Sequence, residues 1–480
     1  MKIEQIYTKC LAHAAYYVES EGEAVVIDPL REIQPYLDLA ERDGAKIKYV
    51  IETHFHADFV SGHLDLAKKT GAKIVYGPTA EADFDFELLN DSDILKVGNV
   101  TFQLLHTPGH TMESSCFLLR DENLPDGEAG GKEVALFSGD TLFIGDVGRP
   151  DLAQRVFSDL TQDKLAGYMF DSLRNKIMPL SDGIIVYPAH GAGSACGKNM
   201  SKETFDTLGN QKKVNYALNP EFTREEFIKE LTTGLTPSPA YFPNNAIINR
   251  KGYPSFDSVL EKNLKPLNVT EFDFLAHEPD VLILDTRHHN DFVKGFVPNS
   301  YFIGIQGDFA PWVGTVIENI NQKIIFISEP GKEEEVITRL SRIGYDNVLG
   351  YLNGGFDTWK NAGKEIDSIE SIDISEFENQ YKSNPEMDIL DVRRAGEFDS
   401  EHVQSAQNLP VDYIHKNLHE ASKDKRYYVH CAGGYRSVIF ASIAKSKGYN
   451  DLVNIEGGFG KIKQSDVFPK TEFVCPTTML

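Results

Sequence analysis

The second half of the chain is written twice. Val269-Thr-Glu271-Phe272 returns as Ile374-Ser-Glu376-Phe377, and Leu284-Asp285-Thr-Arg287 as Leu390-Asp391-Val-Arg393. Phe292 finds its counterpart in Phe398, and Tyr351-Leu-Asn-Gly354-Gly355-Phe356 returns as Asn454-Ile-Glu-Gly457-Gly458-Phe459. The repeat predicts two copies of one small α/β unit, each with apolar strands between helices. They follow a first half of different character. The proline- and asparagine-rich stretch from Gly234 to Asn245 reads as its closing segment, and Arg250-Lys-Gly-Tyr-Pro254 as a linker. A chain of 480 residues has room for two to four domains. The expected boundaries are 1–250, 265–365 and 370–480.

The first half alternates strands and helices. Ala24-Val-Val-Ile-Asp28, Ile47-Lys-Tyr-Val-Ile51, Lys73-Ile-Val-Tyr76, Val134-Ala-Leu-Phe137 and Gly183-Ile-Ile-Val-Tyr187 read as buried strands, and His63-Leu-Asp-Leu-Ala-Lys-Lys as a helix. Candidate metal donors gather where these strands end. They are His54-Phe-His56-Ala-Asp58, then His110 after the Pro108-Gly109 turn, Asp140 in Ser138-Gly-Asp, and His190 in Pro188-Ala-His. Each alone is ordinary. All together, in loops held by a rigid sheet, they indicate a metal site suited to a first-row transition metal.

These residues resemble the metallo-β-lactamase superfamily, whose H-x-H-x-D-H signature matches His54 to Asp58 but meets Phe59 at the terminal histidine. The resemblance implies an αββα sandwich. Glu52 to His63, Thr107-Pro-Gly-His110-Thr111, Gly139 to Asp151 and Tyr187-Pro-Ala-His190-Gly191 are most similar to the persulfide dioxygenase branch. That branch implies one iron(II) per chain, held by His54, His110 and Asp140 as a facial triad open to O2 and substrate. A phenyl ring cannot ligate, so Phe59 argues for one metal. His56, Asp58 and His190 are then expected to orient the ligands, with direct ligation of a second metal the alternative. Arg149 and Lys198 are candidates for binding an anionic thiol cofactor. Cys196, close after His190, is a candidate for touching substrate, a small buried residue being the equal alternative.

In the second repeat, strand-like Tyr427-Tyr-Val-His430 runs into Cys431-Ala-Gly-Gly-Tyr-Arg436-Ser437, with the helical pattern Val438 to Ala444 behind it. A thiol at the mouth of a glycine-containing loop facing a helix N-terminus is expected to be thiolate-prone, and Arg436 adds a cation. The segment resembles the rhodanese active loop, with Asp391-Val-Arg393, Glu397 and His402 at further marker positions. The implied role is nucleophilic: Cys431 takes a sulfane sulfur as a persulfide and passes it on. In the first repeat, Lys323-Ile-Ile-Phe-Ile327 runs into Ser328-Glu-Pro-Gly-Lys-Glu-Glu-Glu335, and no cysteine lies between Cys196 and Cys431. That copy reads as a catalytically silent spacer or docking module.

The fold class is therefore α/β: a metallo-β-lactamase sandwich followed by two rhodanese-like domains. A net charge of −24 argues against nucleic-acid and anionic-membrane partners. No apolar signal region or membrane-length run occurs, and five scattered cysteines do not make a disulfide framework, so a reducing cytoplasm is the expected location. The implied chemistry is oxidation of a low-molecular-weight thiol persulfide by O2 to sulfite, coupled to sulfur transfer that makes or consumes thiosulfate, within hydrogen sulfide metabolism. Glyoxalase II-like hydrolysis of a thioester at a zinc site is the rival. Oligomeric state and thiol carrier are left open. Cys10, Cys116, Cys475, His13 and the His288-His289 pair carry no flanking ligand motif.

Overall fold

In the computed structural model the described residues are 1–124, 131–152, 160–235 and 238–475. They form two compact units, Met1–Val259 with Ser341–Gly344, and Leu260–Leu340 with Tyr345–Leu480.

The first unit holds two six-stranded sheets, each laid down in chain order. One runs from Lys2–Thr8 through His13–Ser20, Glu23–Ile27, Lys46–Ile51 and Lys73–Tyr76 to Glu87–Leu88. The other runs from Ile94–Val97 through Val100–His106, Ser115–Asp121, Lys132–Gly139 and Ile185–Pro188 to Asp206–Thr207. Alternation along each strand decides the layers. Tyr16, Val18, Ile27, Ile51 and Val75 pack inward against Phe102, Leu104, Phe117 and Phe137 of the other sheet. Tyr17, Val26 and Val50 turn outward to Tyr36, Ala40 and Leu66 on the helices Gln34–Asp43 and His63–Thr70. Leu118, Leu136 and Val186 meet Ala166, Met169 and Phe227 on Gln162–Ser172 and Arg224–Thr232. This is the αββα sandwich. At one edge the sheets are stitched together: Ala14 N–H donates to Ala189 O at 2.8 Å and Gly191 N–H to Ala12 O at 2.9 Å.

A helix, Phe242–Lys251, takes up the end of the expected closing stretch and the start of the expected linker; Thr236 and Pro237 lie outside the described residues. Pro243 stands in its first turn, where a missing N–H costs nothing. The helix earns its place through buried Asn249, whose Nδ2 donates to His56 O at 2.8 Å and Phe59 O at 2.7 Å while its Oδ1 accepts from Ser61 N–H at 2.9 Å. It thereby clamps the histidine-bearing loop.

The second unit contains two five-stranded parallel sheets of identical order. In the first repeat the order is Pro266–Leu267, Val348–Leu352, Lys323–Ile327, Val281–Asp285, Tyr301–Phe302. In the second it is Glu370–Ile372, Leu452–Ile455, Tyr427–His430, Asp388–Asp391, Ala406–Asn408. Both opening helices are capped alike, with the side chains of Asn268 and Asp373 accepting from the backbone N–H of Glu271 and Glu376. Among the described residues no helix is long and apolar enough to cross a membrane.

Candidate metal centre and sulfur-transfer loop

Strand ends of both sheets deliver the donors to the stitched edge. His54 follows Lys46–Ile51, His110 follows Val100–His106, and Asp140 directly follows Lys132–Gly139. One ligand atom from each lies within 4.8 Å of the others, and all three residues are buried. Asp140 Oδ2 is 3.4 Å from His110 Nε2 and 3.8 Å from His54 Nε2. These are edge lengths for donors about 2.0–2.2 Å from a common ion. The hydrogen bonds also set the tautomers. His110 Nδ1 donates to Arg149 O at 2.9 Å. His54 Nδ1 donates to Thr53 Oγ1 at 3.0 Å, and that hydroxyl donates to Asp28 Oδ2 at 2.8 Å. Both Nε2 lone pairs therefore face the buried Asp140 Oδ2, which has no hydrogen-bond partner. The donor set fits a divalent transition metal.

Two glycines permit this approach. Gly139 has φ +51°, and a Cβ there would lie 2.5 Å from Thr53 Oγ1. At Gly148 a Cβ would lie 2.1 Å from Asp140 O and 2.9 Å from His110 Nδ1. Any larger side chain would push apart the two loops that carry the triad.

The remaining sequence candidates divide into two further groups. Asp58, His190 and Cys196 also offer three donor atoms within 4.8 Å. His190 lies between carboxylates, Nδ1 at 2.8 Å from Asp140 Oδ1 and Nε2 at 2.8 Å from Asp58 Oδ2. Burial opposes its protonation, but Asp140 and Asp58 overcome it and hold the imidazole well above its usual range. Burial likewise opposes ionisation of Asp140, and His190, His54 and His110 outweigh it, keeping the carboxyl well below its usual range. The Cys196 thiol is pushed well up by burial and by Asp58 and Asp140. His56 belongs with Asp28 and Glu52, its Nε2 lying 3.1 Å from Asp28 Oδ1 and 3.5 Å from Glu52 Oε2. Against the cost of burial, Asp28 pushes His56 up to about 9.

Sequence reasoning missed His13. It is fully buried, its ring 4.2 Å from that of Phe59 and 5.5 Å from that of His190. Burial, then His190 and His56, hold it well below its usual range. Phe59 is fully buried and packs between His13 and His56, whose ring lies 4.3 Å away. Its phenyl fills this space with carbon. No local motif marks His13, because its neighbours come from strands far along the chain.

The two cations expected to meet substrate are engaged elsewhere. Arg149 is 3% exposed, with two guanidinium nitrogens on Asp151 at 2.6 and 2.8 Å and a third on Ala195 O. Lys198 Nζ donates to Glu230 O at 2.8 Å. Arg149 thereby braces Ala195 beside Cys196, and Lys198 ties the same loop to the helix Arg224–Thr232.

In the second unit Cys431 lies not at a mouth but at the floor of its loop, 1% exposed. Its Sγ accepts from Gly434 N–H at 3.1 Å and from Ser437 Oγ at 3.6 Å. Helix Tyr435–Ser446 begins immediately beyond. Arg436 does not aim a free cation at the thiol: its Nη1 and Nη2 donate to Glu397 at 2.6 and 2.8 Å. That pairing holds the Glu397 carboxyl below its usual range although burial opposes it.

An αββα sandwich with a two-histidine, one-carboxylate centre, joined to paired parallel-sheet units of which one carries a cradled thiol, defines a metal-site and sulfur-loop fusion. Comparison with known proteins agrees. The model of the Metallo-beta-lactamase superfamily matches residues 8–124, and that of the Rhodanese-like domain matches residues 268–362 and 373–465. The chain is similar to a metallo-beta-lactamase from Staphylococcus aureus subsp. aureus COL at 30% identity and TM-score 0.64, covering 73% of this chain and 98% of that one. It thus belongs to the metallo-beta-lactamase superfamily through its N-terminal domain and carries tandem rhodanese-like domains behind it. Hydroxyacylglutathione hydrolase GloC of Haemophilus influenzae is 27% identical over 42% of this chain and 90% of its own length. Of other hydroxyacylglutathione hydrolases it matches, the chain spans 60% to 66% of their length. ETHE1 from Myxococcus xanthus is 26% identical, with TM-score 0.42, over 52% of this chain and all of that one.

Proposed function

We propose that residues 1–250 oxidise a low-molecular-weight thiol persulfide to sulfite with O2 at a single iron(II) held by His54, His110 and Asp140, and that residues 370–480 transfer sulfane sulfur through Cys431. Residues 265–365 form the copy without a thiol. The observation that carries the reading is the facial triad beside a buried Phe59, which leaves carbon where a further histidine donor would be needed. Iron(II) bound there would supply neighbouring open positions for the persulfide sulfur and O2. His190 keeps Asp140 ionised and its Oδ2 directed at the triad, while Thr53 and the Arg149 carbonyl hold both imidazoles in ligating orientation. The reaction balances as one persulfide, one O2 and one water giving the free thiol, sulfite and two protons. In the second unit the Cys431 thiolate attacks the outer sulfur of thiosulfate, the S–S bond breaks, and sulfite leaves with the electron pair.

A thioester hydrolase reading is favoured by two observations: the hydroxyacylglutathione hydrolases among the relatives, and the second donor group Asp58, His190 and Cys196. The full chain, loaded anaerobically with iron(II), distinguishes the two. Glutathione persulfide should drive O2 uptake with a single iron per chain, and S-lactoylglutathione should not be hydrolysed. Two bound zinc ions, thioester turnover and no O2 uptake would overturn the dioxygenase reading. Conversely, Phe59→His should admit a second ion and lower O2 uptake at least about tenfold, because it replaces packing beside His56 and His13 with a competing donor.

A further inference from the structure

We infer that the cysteine-less repeat is a fixed wall that positions the Cys431 loop, and that Tyr435 is the positioning residue through which it acts. This rests on the sulfur-transfer reading of Cys431. Tyr435 lies between Gly434 and Ser437, the two residues that hydrogen-bond the thiol sulfur, and opens the helix Tyr435–Ser446. Its hydroxyl leaves its own repeat and donates to Gly304 O of the first repeat at 2.8 Å. Its ring lies 5.6 Å from that of Phe302 and 6.3 Å from that of His289, both first-repeat residues. Gly307 passes so close that a Cβ there would fall 2.4 Å from Tyr435 Cζ. Space on that side of the loop is set by the first repeat down to a single methyl group.

A second contact fixes the same helix two turns on. Phe302 N–H, on the edge strand Tyr301–Phe302 of the first repeat, donates to Ser442 Oγ at 2.9 Å. Every residue from Ser437 to Ala444 is buried. A helix apolar all round requires cover on both sides. Its own sheet supplies one, and the edge of the first repeat supplies the other. Because Gly434, whose N–H faces Cys431 Sγ, caps this helix and Ser437, whose hydroxyl also faces it, lies in the first turn, holding the helix holds the thiol's cradle. The copy without a thiol thus has a mechanical role.

The test uses the full chain, with thiosulfate as sulfur donor, cyanide as acceptor and iodoacetamide as a probe of Cys431. Tyr435→Phe deletes only the hydroxyl and should lower kcat/KM about tenfold, with a parallel fall in the Cys431 alkylation rate and an unchanged melting temperature. Gly307→Ala, in the other repeat, should lower transfer by about ten- to a hundredfold. Truncating the ring in Gly307→Ala/Tyr435→Leu should make the two changes strongly non-additive. If Gly307→Ala fails to fold, Tyr435→Phe decides alone. Wild-type transfer and alkylation in folded Tyr435→Phe would overturn the inference, as would a lower melting temperature with unchanged alkylation. Cys431→Ser separates the failures: transfer surviving in that variant defeats the sulfur-transfer reading, whereas transfer lost there but intact in Tyr435→Phe defeats only the positioning role.

Discussion

The two repeats share a scaffold and part company where the central strand turns into its helix. In both, an Asp-x-Arg pair is buried and self-satisfied. Arg287 donates to Asp285 and to Gly295 O, and Arg393 to Asp391 and to Glu401 O. Each guanidinium then stacks on the phenylalanine of the Gly-Gly-Phe turn, 4.1 Å from the Phe356 ring and 3.9 Å from the Phe459 ring. Gly355 and Gly458 take positive φ, and a Cβ on either would crowd the carbonyl of Ser328 or Cys431. Ser328 therefore stands where Cys431 stands. Beyond that point the copies diverge. Gly331, the counterpart of Gly434, gives its N–H to Glu333 Oε2 at 2.8 Å, the helix starts only at Glu333, and three glutamates occupy its first turn. In the second copy Gly434 donates to the sulfur and the helix begins at Tyr435. The sequence markers shared by both copies thus report a scaffold, and the chemistry lies in the few residues that differ.

The largest effect expected from this comparison is at the thiol itself. Cys431→Ser should reduce thiosulfate-to-cyanide transfer by at least about a thousandfold while leaving iron content and O2 uptake unchanged. Loss of metal in that variant would break the division of labour. Next come the shared aspartates. Asp285→Ala and Asp391→Ala each strand a buried guanidinium and should cost about 3–5 kcal/mol by denaturant unfolding. A marked inequality between them would break the claim of one scaffold. The smallest effect is a null. Ser328→Cys in the Cys431→Ser background should yield a thiol but restore no sulfur transfer, because Glu333 takes the Gly331 N–H and the neighbouring glutamates oppose a thiolate. Restored transfer, measured in the same assay, would show that the thiol alone distinguishes the copies.

A similar contrast separates what could be read at the metal centre from what could not. His54, His110 and Asp140 were visible because each follows a strand end and each belongs to a short motif. His13 was invisible: it opens a strand, has no motif, and meets Phe59 only when the sheets pack. Asn249, between the expected closing stretch and the expected linker, was given no role because asparagine usually marks loops, whereas here the buried carbonyls of His56 and Phe59 satisfy its amide. Arg436 has the right spacing for a cation beside the thiol, but Glu397, 39 positions earlier, claims it.

By itself the sequence determined the kinds of donor available, the replacement of a histidine by Phe59, the duplication, and which copy keeps a thiol. These are local properties, written in residues that neighbour one another along the chain. Only the tertiary structure decided that Phe59 fills the space between His13 and His56, that His190 bridges Asp140 and Asp58, 50 and 132 positions away, and that Tyr435 leans on the silent copy. Such contacts arise from sheet packing and edge pairing, which bring together groups whose separation in sequence carries no periodic signal.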